Sequence, residues 1–240
     1  MLEINNIYHG DCLDLMRDIP DRSIDMVLCD LPYGSTQNKW DSIIPLDLLW
    51  LHYKRVSKDN AAIVLTAIQP FASMLVGGNP EWFKYEWIWQ KDKATGFLNA
   101  NKMPMRHHEN ILVFYKSQPI YNPQKFKGNP CHSRGKAVGT VGTTTDYGKH
   151  LGSDTSGDMK FPLSILKFNK DYGLHPTQKP VALFEYLIKT YTNENAIVLD
   201  NCIGSGTTAE ACIKTHRNYI GIEKDPIYVE TSRKRIASLI

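Results

Sequence analysis

Two short runs in this chain bring together residue types that can do chemistry. The first is Asp30-Leu31-Pro32-Tyr33, directly behind the apolar run 24–29. An aspartate at a strand end can accept a hydrogen from an amine, a carbonyl in the same turn can accept another, and a tyrosine ring can lie against a flat ring system. The same residues also make an ordinary turn, with Asp30 capping it and Pro32 and Gly34 as turn formers. The second run is Asp200-Asn201-Cys202-Ile203-Gly204-Ser205-Gly206-Thr207-Thr208, placed between the apolar run 196–199 and a helical pattern. A glycine turn joining a buried strand to a helix opening lets backbone approach a nucleotide-like ligand while the helix amides face it. Thr207 and Glu210 have capping-box spacing, so a helix is expected to start there. A further strand, 218–222, ends at Glu223, nineteen positions after Gly204. The dinucleotide fingerprint puts an acid on ribose hydroxyls after roughly twenty. Without Glu223, the two glycines would read equally well as a plain strand-to-helix turn.

These runs need a sheet to hold them. A third glycine of the dehydrogenase pattern is replaced by Ala209, which that pattern tolerates, so the glycines leave NAD open. Placement argues against it, because a dehydrogenase puts this unit first and follows it with more βα units. Here only 226–240 follows, an amphipathic segment with Asp225 at its N-cap and Pro226 at the first helical position. The rest of the sheet must come from upstream. Strands are expected at 4–9, 24–29, 61–66, 85–89 and 110–115, the last two as an antiparallel pair, with a helix over 41–56. With 197–199 and 218–222 this makes seven strands in one doubly wound, mostly parallel α/β sheet whose sequence order is rotated against its spatial order.

Taken in order, these motifs resemble the amino-group DNA methyltransferases of the permuted β group. In that family a D/N/S-P-P-Y/F/W motif comes first, a target-recognition region follows, and an F-x-G-x-G motif comes last; Asp30 to Tyr33 is similar to the first and Asp200 to Thr208 to the last. His175-Pro176-Thr177-Gln178-Lys179-Pro180 resembles the segment that meets the cofactor's methionine end, and Gly10-Asp11-Cys12 the one whose acid faces its adenine ring. The sequence departs from the pattern at Leu31, where the family has proline, and at Cys202, where it has an aromatic. The resemblance implies S-adenosylmethionine as cofactor, held by Asp11, Cys12, Asp30, His175, Thr177, Gln178, Lys179, Asp200, Cys202, Gly204, Gly206, Thr207, Thr208 and Glu223. It implies a catalytic set of Asp30, Leu31, Pro32 and Tyr33 acting on a base flipped out of DNA, because an amine inside the duplex is out of reach. Asp30 would accept one amine hydrogen and the carbonyl of Leu31 or Pro32 another, aiming the lone pair at the methyl; such positioning can contribute roughly 7 to 11 kcal/mol. No metal is needed. Asp at position 30 favours the 6-amino group of adenine within the family. The 4-amino group of cytosine, an adenine in RNA, a glutamine amide, and a silent DNA-binding relative stay open as alternatives. Double-stranded DNA is the implied partner, with a homodimer and a companion restriction endonuclease as further expectations.

Composition fits such an enzyme. The 240 residues are 42% hydrophobic, with no apolar run of membrane-spanning length and no signal-like start. Five cysteines without a C-x-x-C pair give neither a disulfide framework nor a zinc site, and a reducing cytoplasm is expected. The net charge of +3 is small but uneven: 116–172 holds nine Lys or Arg against four Asp, and seven of the sixteen glycines. Three parts are therefore expected: a catalytic half over 1–115, a basic target-recognition insertion over 116–173, and a cofactor-binding half over 174–240. Lys125, Lys127, Arg134 and Lys136 of the insertion, with Lys93 and Arg106 of the connection 91–109, are the candidate DNA contacts. Composition alone would also allow solvated loops at both places.

Overall fold

The computed structural model describes residues 1–34, 41–131, 141–144, 148–151, 157–171, 173 and 178–239, and in it the apolar runs fold as strands alternating with helices. In chain order these are β1 (Asn6–His9), α1 (Cys12–Leu15), β2 (Ile24–Asp30), α2 (Leu46–Val56), β3 (Ser57–Ala67), α3 (Phe71–Gly78), β4 (Phe83–Thr95) and β5 (Arg106–Phe114). Next come β6 (Phe126–Cys131), β7 (Val141–Thr144), β8 (Gly148–Leu151) and β9 (Gly157–Lys160). The chain closes with β10 (Ile165–Lys167), α4 (Val181–Tyr191), β11 (Ile197–Asp200), α5 (Thr207–Lys214), β12 (Asn218–Glu223) and α6 (Pro226–Ala237). Met1–Asn122 and Ser164–Ile240 form one compact unit and Pro123–Leu163 another.

In the larger unit the described strands make one eight-stranded sheet in the order β1-β12-β11-β2-β3-β5-β4-β10. The run from β1 to β3 is parallel, β5 is antiparallel to both neighbours, and β10 is parallel to β4. The expected antiparallel pairing of β4 and β5 is present. The count of seven is corrected to eight by β10, which lies inside the stretch expected as the insertion. Its three residues pair with Ile88 to Gln90 and bury Leu166 alone, too little alternation to stand out in the sequence. The rotated order is plain: β11 and β12 are last among the strands of the chain yet lie between β1 and β2.

Adjacent residues of the central strands serve opposite faces, as the pleat requires. Met26, Leu28, Ala62 and Val64 pack with Leu183, Phe184 and Leu187 of α4, Ala211 of α5 and Val229 of α6. Val27, Cys29, Ile63 and Leu65 pack on the other face with Leu49, Tyr53 and Val56 of α2 and Phe71 and Leu75 of α3. Burial on both faces is why these strands read as continuous apolar runs. The connections diverge between the parallel strands β11, which leads to β12 on one side, and β2, which leads to β3 on the other. In open α/β sheets the crevice beyond the strand ends at such a point is where ligands bind.

One helix start and one helix cap differ from expectation. α2 begins at Leu46, because the Asp41 carboxylate accepts the Gly34 amide at 2.8 Å and Pro45 precedes the first turn, leaving 41–45 as loop. α5 begins at Thr207 as expected, but without a capping box: its N-cap is Gly206 at φ +87°, with no side-chain cap. Thr208 turns instead to Asp200, and Glu210 to Arg235 and Lys214. The Asp225 cap of α6 is as expected, accepting the Ile227 amide at 2.8 Å.

Candidate active site

At the end of β11, Asp200 is 3% exposed and faces inward. Its Oδ1 accepts the Cys202 amide at 3.1 Å and its Oδ2 the Thr208 hydroxyl, which ties the turn to the first residues of α5. Burial outweighs those hydrogen bonds and pushes the carboxyl up to about 7. At the end of β12, Glu223 accepts the Gly204 amide through Oε2 and the Asp225 amide through Oε1, each at 2.8 Å. Burial raises its pKa despite those bonds. The two glycines have separate uses. Gly204, at φ +51°, lies on a cavity wall, whereas Gly206 sits against α6, where a Cβ would come within 3.0 Å of the Ser232 Cβ. Asp11 caps α1 through the Leu13 amide at 3.0 Å and pairs with Lys224 at 3.1 Å.

Across the crevice, at the end of β2, Asp30 is held on three sides. Thr66 of β3 donates to Oδ1 at 2.5 Å, and the Tyr33 hydroxyl lies 2.6 Å from the same oxygen and 3.0 Å from the Thr66 hydroxyl. Lys179 donates to Oδ2 at 2.5 Å. A carboxylate offers about four lone pairs, so one on Oδ2 remains for a ligand. The Lys179 side chain is 5% exposed and its ammonium also lies 3.3 Å from Glu109 Oε2, while Lys91 donates to Glu109 Oε1 at 3.1 Å. Two carboxylates and two ammonium groups thus alternate in one buried row. Burial disfavours the Lys179 charge, yet Asp30 and Glu109 together hold its pKa above the usual value; burial likewise opposes the Glu109 charge, and Lys179 and Lys91 hold it below. Burial, with the Asp30 charge, pushes the Tyr33 phenol well up, so it stays a donor.

Both halves face one cavity of about 840 Å³. Its walls include Asp11, Cys12, Asp30, Leu31, Pro32 and Tyr33 from one side, and Asp200, Cys202, Gly204, Thr207, Thr208 and Glu223 from the other. Gln178, Lys179 and Arg106 also line it. Lys93 is exposed outside it. In the smaller unit, Lys125 lies 4.4 Å over the Phe161 ring and Lys127 is 3.7 Å from Asp158. His175, Thr177, Arg134 and Lys136 lie outside the described residues. The sequence reading missed Thr66 and Glu109, and it took Lys179 for a cofactor contact although its ammonium reaches Asp30. Tyr33 also departs from a purely stacking role, since its hydroxyl is tied to Asp30 and its ring packs on Phe71 at 5.6 Å. A lone acid between basic residues, as Glu109 is in the stretch 102–116, is the one signal that marks a buried ion pair.

A family model for N6/N4 methyltransferases, described as DNA methylase, matches residues 24–234. The type II methyltransferase M.BglII of Bacillus subtilis is 28% identical over 254 residues, covering 95% of this chain and 67% of that protein. The DNA adenine methyltransferase YhdJ of Escherichia coli (strain K12) is 28% identical over 252 residues, covering 98% of this chain and 83% of that protein. Among solved structures, the M1.HpyAVI–SAM complex superposes with a TM-score of 0.65 at 28% identity, covering 96% of this chain and 98% of that one.

Proposed function

Because the chain belongs to the DNA methylase family, we propose that it transfers a methyl group from S-adenosylmethionine to the 6-amino group of adenine in double-stranded DNA. The observation that carries this reading is Asp30: a carboxylate fixed by Thr66, Tyr33 and Lys179, with one lone pair left, on the wall of the same cavity as the glycine turn. The naming of the E. coli relative as a DNA adenine methyltransferase supports adenine, and the M1.HpyAVI complex supports the cofactor.

The residues fit that cofactor. Glu223 stands at the end of β12, where an acid can take a ribose diol, and the Gly204 turn brings backbone close beside it. Asp11 has a carboxylate for an exocyclic amine. The cavity falls in the upper part of the roughly 300–1,000 Å³ range of ligand sites. The bound cofactor supplies an electrophilic methyl. Asp30 Oδ2 accepts one amine hydrogen, the carbonyl of Leu31 or Pro32 the other, and the nitrogen lone pair is turned away from the ring toward the methyl. When the new N–C bond forms at the expense of the methyl–sulfur bond, whose electron pair stays on sulfur as a neutral thioether, the amine would have to give up a proton, and Asp30 Oδ2 would be the acceptor already in contact. Ordered Thr66, Tyr33 and Lys179 keep that oxygen in place before the base arrives, which is preorganisation rather than induced arrangement. A DNA substrate, together with Cys12, Cys29, Cys202 and Cys212 as free thiols, supports a cytoplasmic location. Type II names among its relatives extend the proposal to a restriction-modification setting with a companion endonuclease.

The test is transfer of labelled methyl to DNA followed by hydrolysis of the product. N6-methyladenine is the expected base. N4-methylcytosine would move the reading to cytosine, and an unlabelled but bound DNA would make the chain a binding relative.

A further inference from the structure

The β4–β5 ribbon ends in a tip that is exposed among the described residues of the larger unit. Its strands pair as far as Thr95 and Arg106, and beyond them Gly96 turns the chain at φ +88° into a short helical turn, Phe97–Asn99. The turn is closed by its own backbone: Asn99 N–H to Gly96 O at 3.0 Å, Ala100 N–H to Phe97 O at 3.0 Å and Lys102 N–H to Asn99 O at 2.8 Å. Backbone hydrogen bonds therefore hold its shape. Phe97 is 73% exposed and Leu98 87%, with Met103 at 57% close behind. Single exposed apolar residues are ordinary, but several on one tip mark a contact surface.

Two observations say what the contact is. No Asp or Glu lies between Asp92 and Glu109, while Lys93, Lys102 and Arg106 are exposed there, so the charged side chains of the stretch 93–108 that carries the apolar tip are all positive. The foot of the tip, at Thr95, Gly96 and Arg106, is part of the wall of the cavity that contains Asp30. A second copy of the chain would need a patch of several hundred Å² per partner, more than these few side chains present, and would gain nothing from the cations. Duplex DNA matches both features. Resting on the functional reading above, we infer that Phe97 and Leu98 form a wedge that enters the base stack where the target base leaves it. A base turned out of a duplex leaves a gap, and apolar side chains inserted at a base step hold such a distortion open. Lys93, Lys102 and Arg106 then meet the phosphates beside the gap.

The experiment uses the full chain on its own methylated site, located by sequencing modified bases in cells that express it. Phe97→Ala/Leu98→Ala is compared with the parent on duplexes with the target adenine paired, and with it opposite an abasic position. Both substitutions are on exposed residues, and circular dichroism confirms the fold. On the paired target the rate should fall by about 5- to 150-fold, the loss expected for one stacking contact. On the unpaired target the loss should nearly vanish, and Phe97→Trp should keep the parent rate on both. With 2-aminopurine at the target and no cofactor present, the parent should raise the fluorescence and the double variant should not. Equal losses on paired and unpaired targets, or no loss on either, overturn the wedge. So does a double variant that changes a dimer to a monomer in light scattering, which would give the tip to a second copy. A modified base other than N6-methyladenine counts against the functional reading, and the comparison of paired and unpaired targets, made at whichever base is modified, still decides the wedge.

Discussion

At the scale of residues, the proposed chemistry rests on how many groups Asp30 already holds. Tyr33→Phe keeps the ring against Phe71 but removes the hydroxyl from Oδ1. If Tyr33 only stacked, that change would be silent; with the hydroxyl on the carboxylate, kcat should fall by up to the roughly 1.5–3 kcal/mol of a charged hydrogen bond while KM for DNA is unchanged. Steady-state kinetics at saturating cofactor decide it, and an unchanged kcat would return Tyr33 to stacking alone. Lys179→Met tests the row of charges. Burial opposes both charges, yet the partners hold Lys179 above 10.5 and Glu109 below 4.5. The raised lysine contributes stability that is present below 10.5 and lost as pH rises through its folded value. The lowered glutamate contributes stability that is present above 4.5 and lost as pH falls through its own. Between those limits the clamp is at full strength, and removing its central ammonium should cost about 3–5 kcal/mol because two carboxylates lose their partner. Urea unfolding at acid, neutral and alkaline pH checks this: the variant's deficit should be largest near neutrality and shrink toward both ends. Little of this row was legible beforehand, since Lys179 and Asp30 are 149 positions apart and no local pattern pairs them. Asp30 and Tyr33 were legible because they are three apart in one turn.

At the scale of elements, what the chain discloses depends on how much of each element is buried. β2 and β3 bury consecutive residues on both faces and so read as unbroken apolar runs, whereas β10 buries one residue of three. The capping-box spacing at Thr207 misled for a related reason: close packing of α5 against α6 requires glycine at the N-cap, and local spacing cannot register a neighbour as distant as Ser232. Gly206→Ala should therefore lower stability by about 1–2 kcal/mol for a left-handed backbone, and more if Ser232 cannot yield. Thermal unfolding measures it; a Tm equal to the parent's would mean that the turn relaxes freely. Asp200 at the end of β11 gives the turn a pH dependence. Its folded value of about 7 exceeds the usual 3.8, so its contribution is full below 3.8 and is lost as pH rises through about 7. Asp200→Asn should match the parent in acid and surpass it above neutrality, by at most a difference on the order of 4 kcal/mol in the cofactor-free protein. Parallel stability curves for the two proteins across that window would show that Asp200 ionises without penalty. Glu223→Ala belongs to the same turn, and should weaken cofactor binding by roughly 1.5–3 kcal/mol in calorimetry; unchanged affinity would remove Glu223 from the site.

At the scale of the whole molecule, the rotated order was legible because a glycine turn placed last cannot build a sheet without the strands ahead of it. The division of charge was legible by counting, since 116–172 carries a surplus of five positive charges in a chain whose net charge is +3. What counting could not show is which of those charges are free. Lys127 has an 83% exposed side chain and only a long pairing to Asp158, of the kind that contributes little in water. Lys125 lies over the Phe161 ring, which leaves its charge intact while fixing where it stands. Both are then able to displace counterions from a phosphate backbone. Each phosphate contact steepens the dependence of log K on log salt by about 0.9. Lys125→Gln/Lys127→Gln should therefore flatten the slope for DNA binding by roughly 1.8, uniformly across sequences, with cofactor affinity untouched. Asp158→Asn should act in the opposite sense, because it frees Lys127 and removes a negative charge from the same surface. Binding titrations at several salt concentrations give the slopes directly. If both variants keep the parent's slope, these lysines make no phosphate contacts, and the surplus charge of this stretch serves only to keep it solvated.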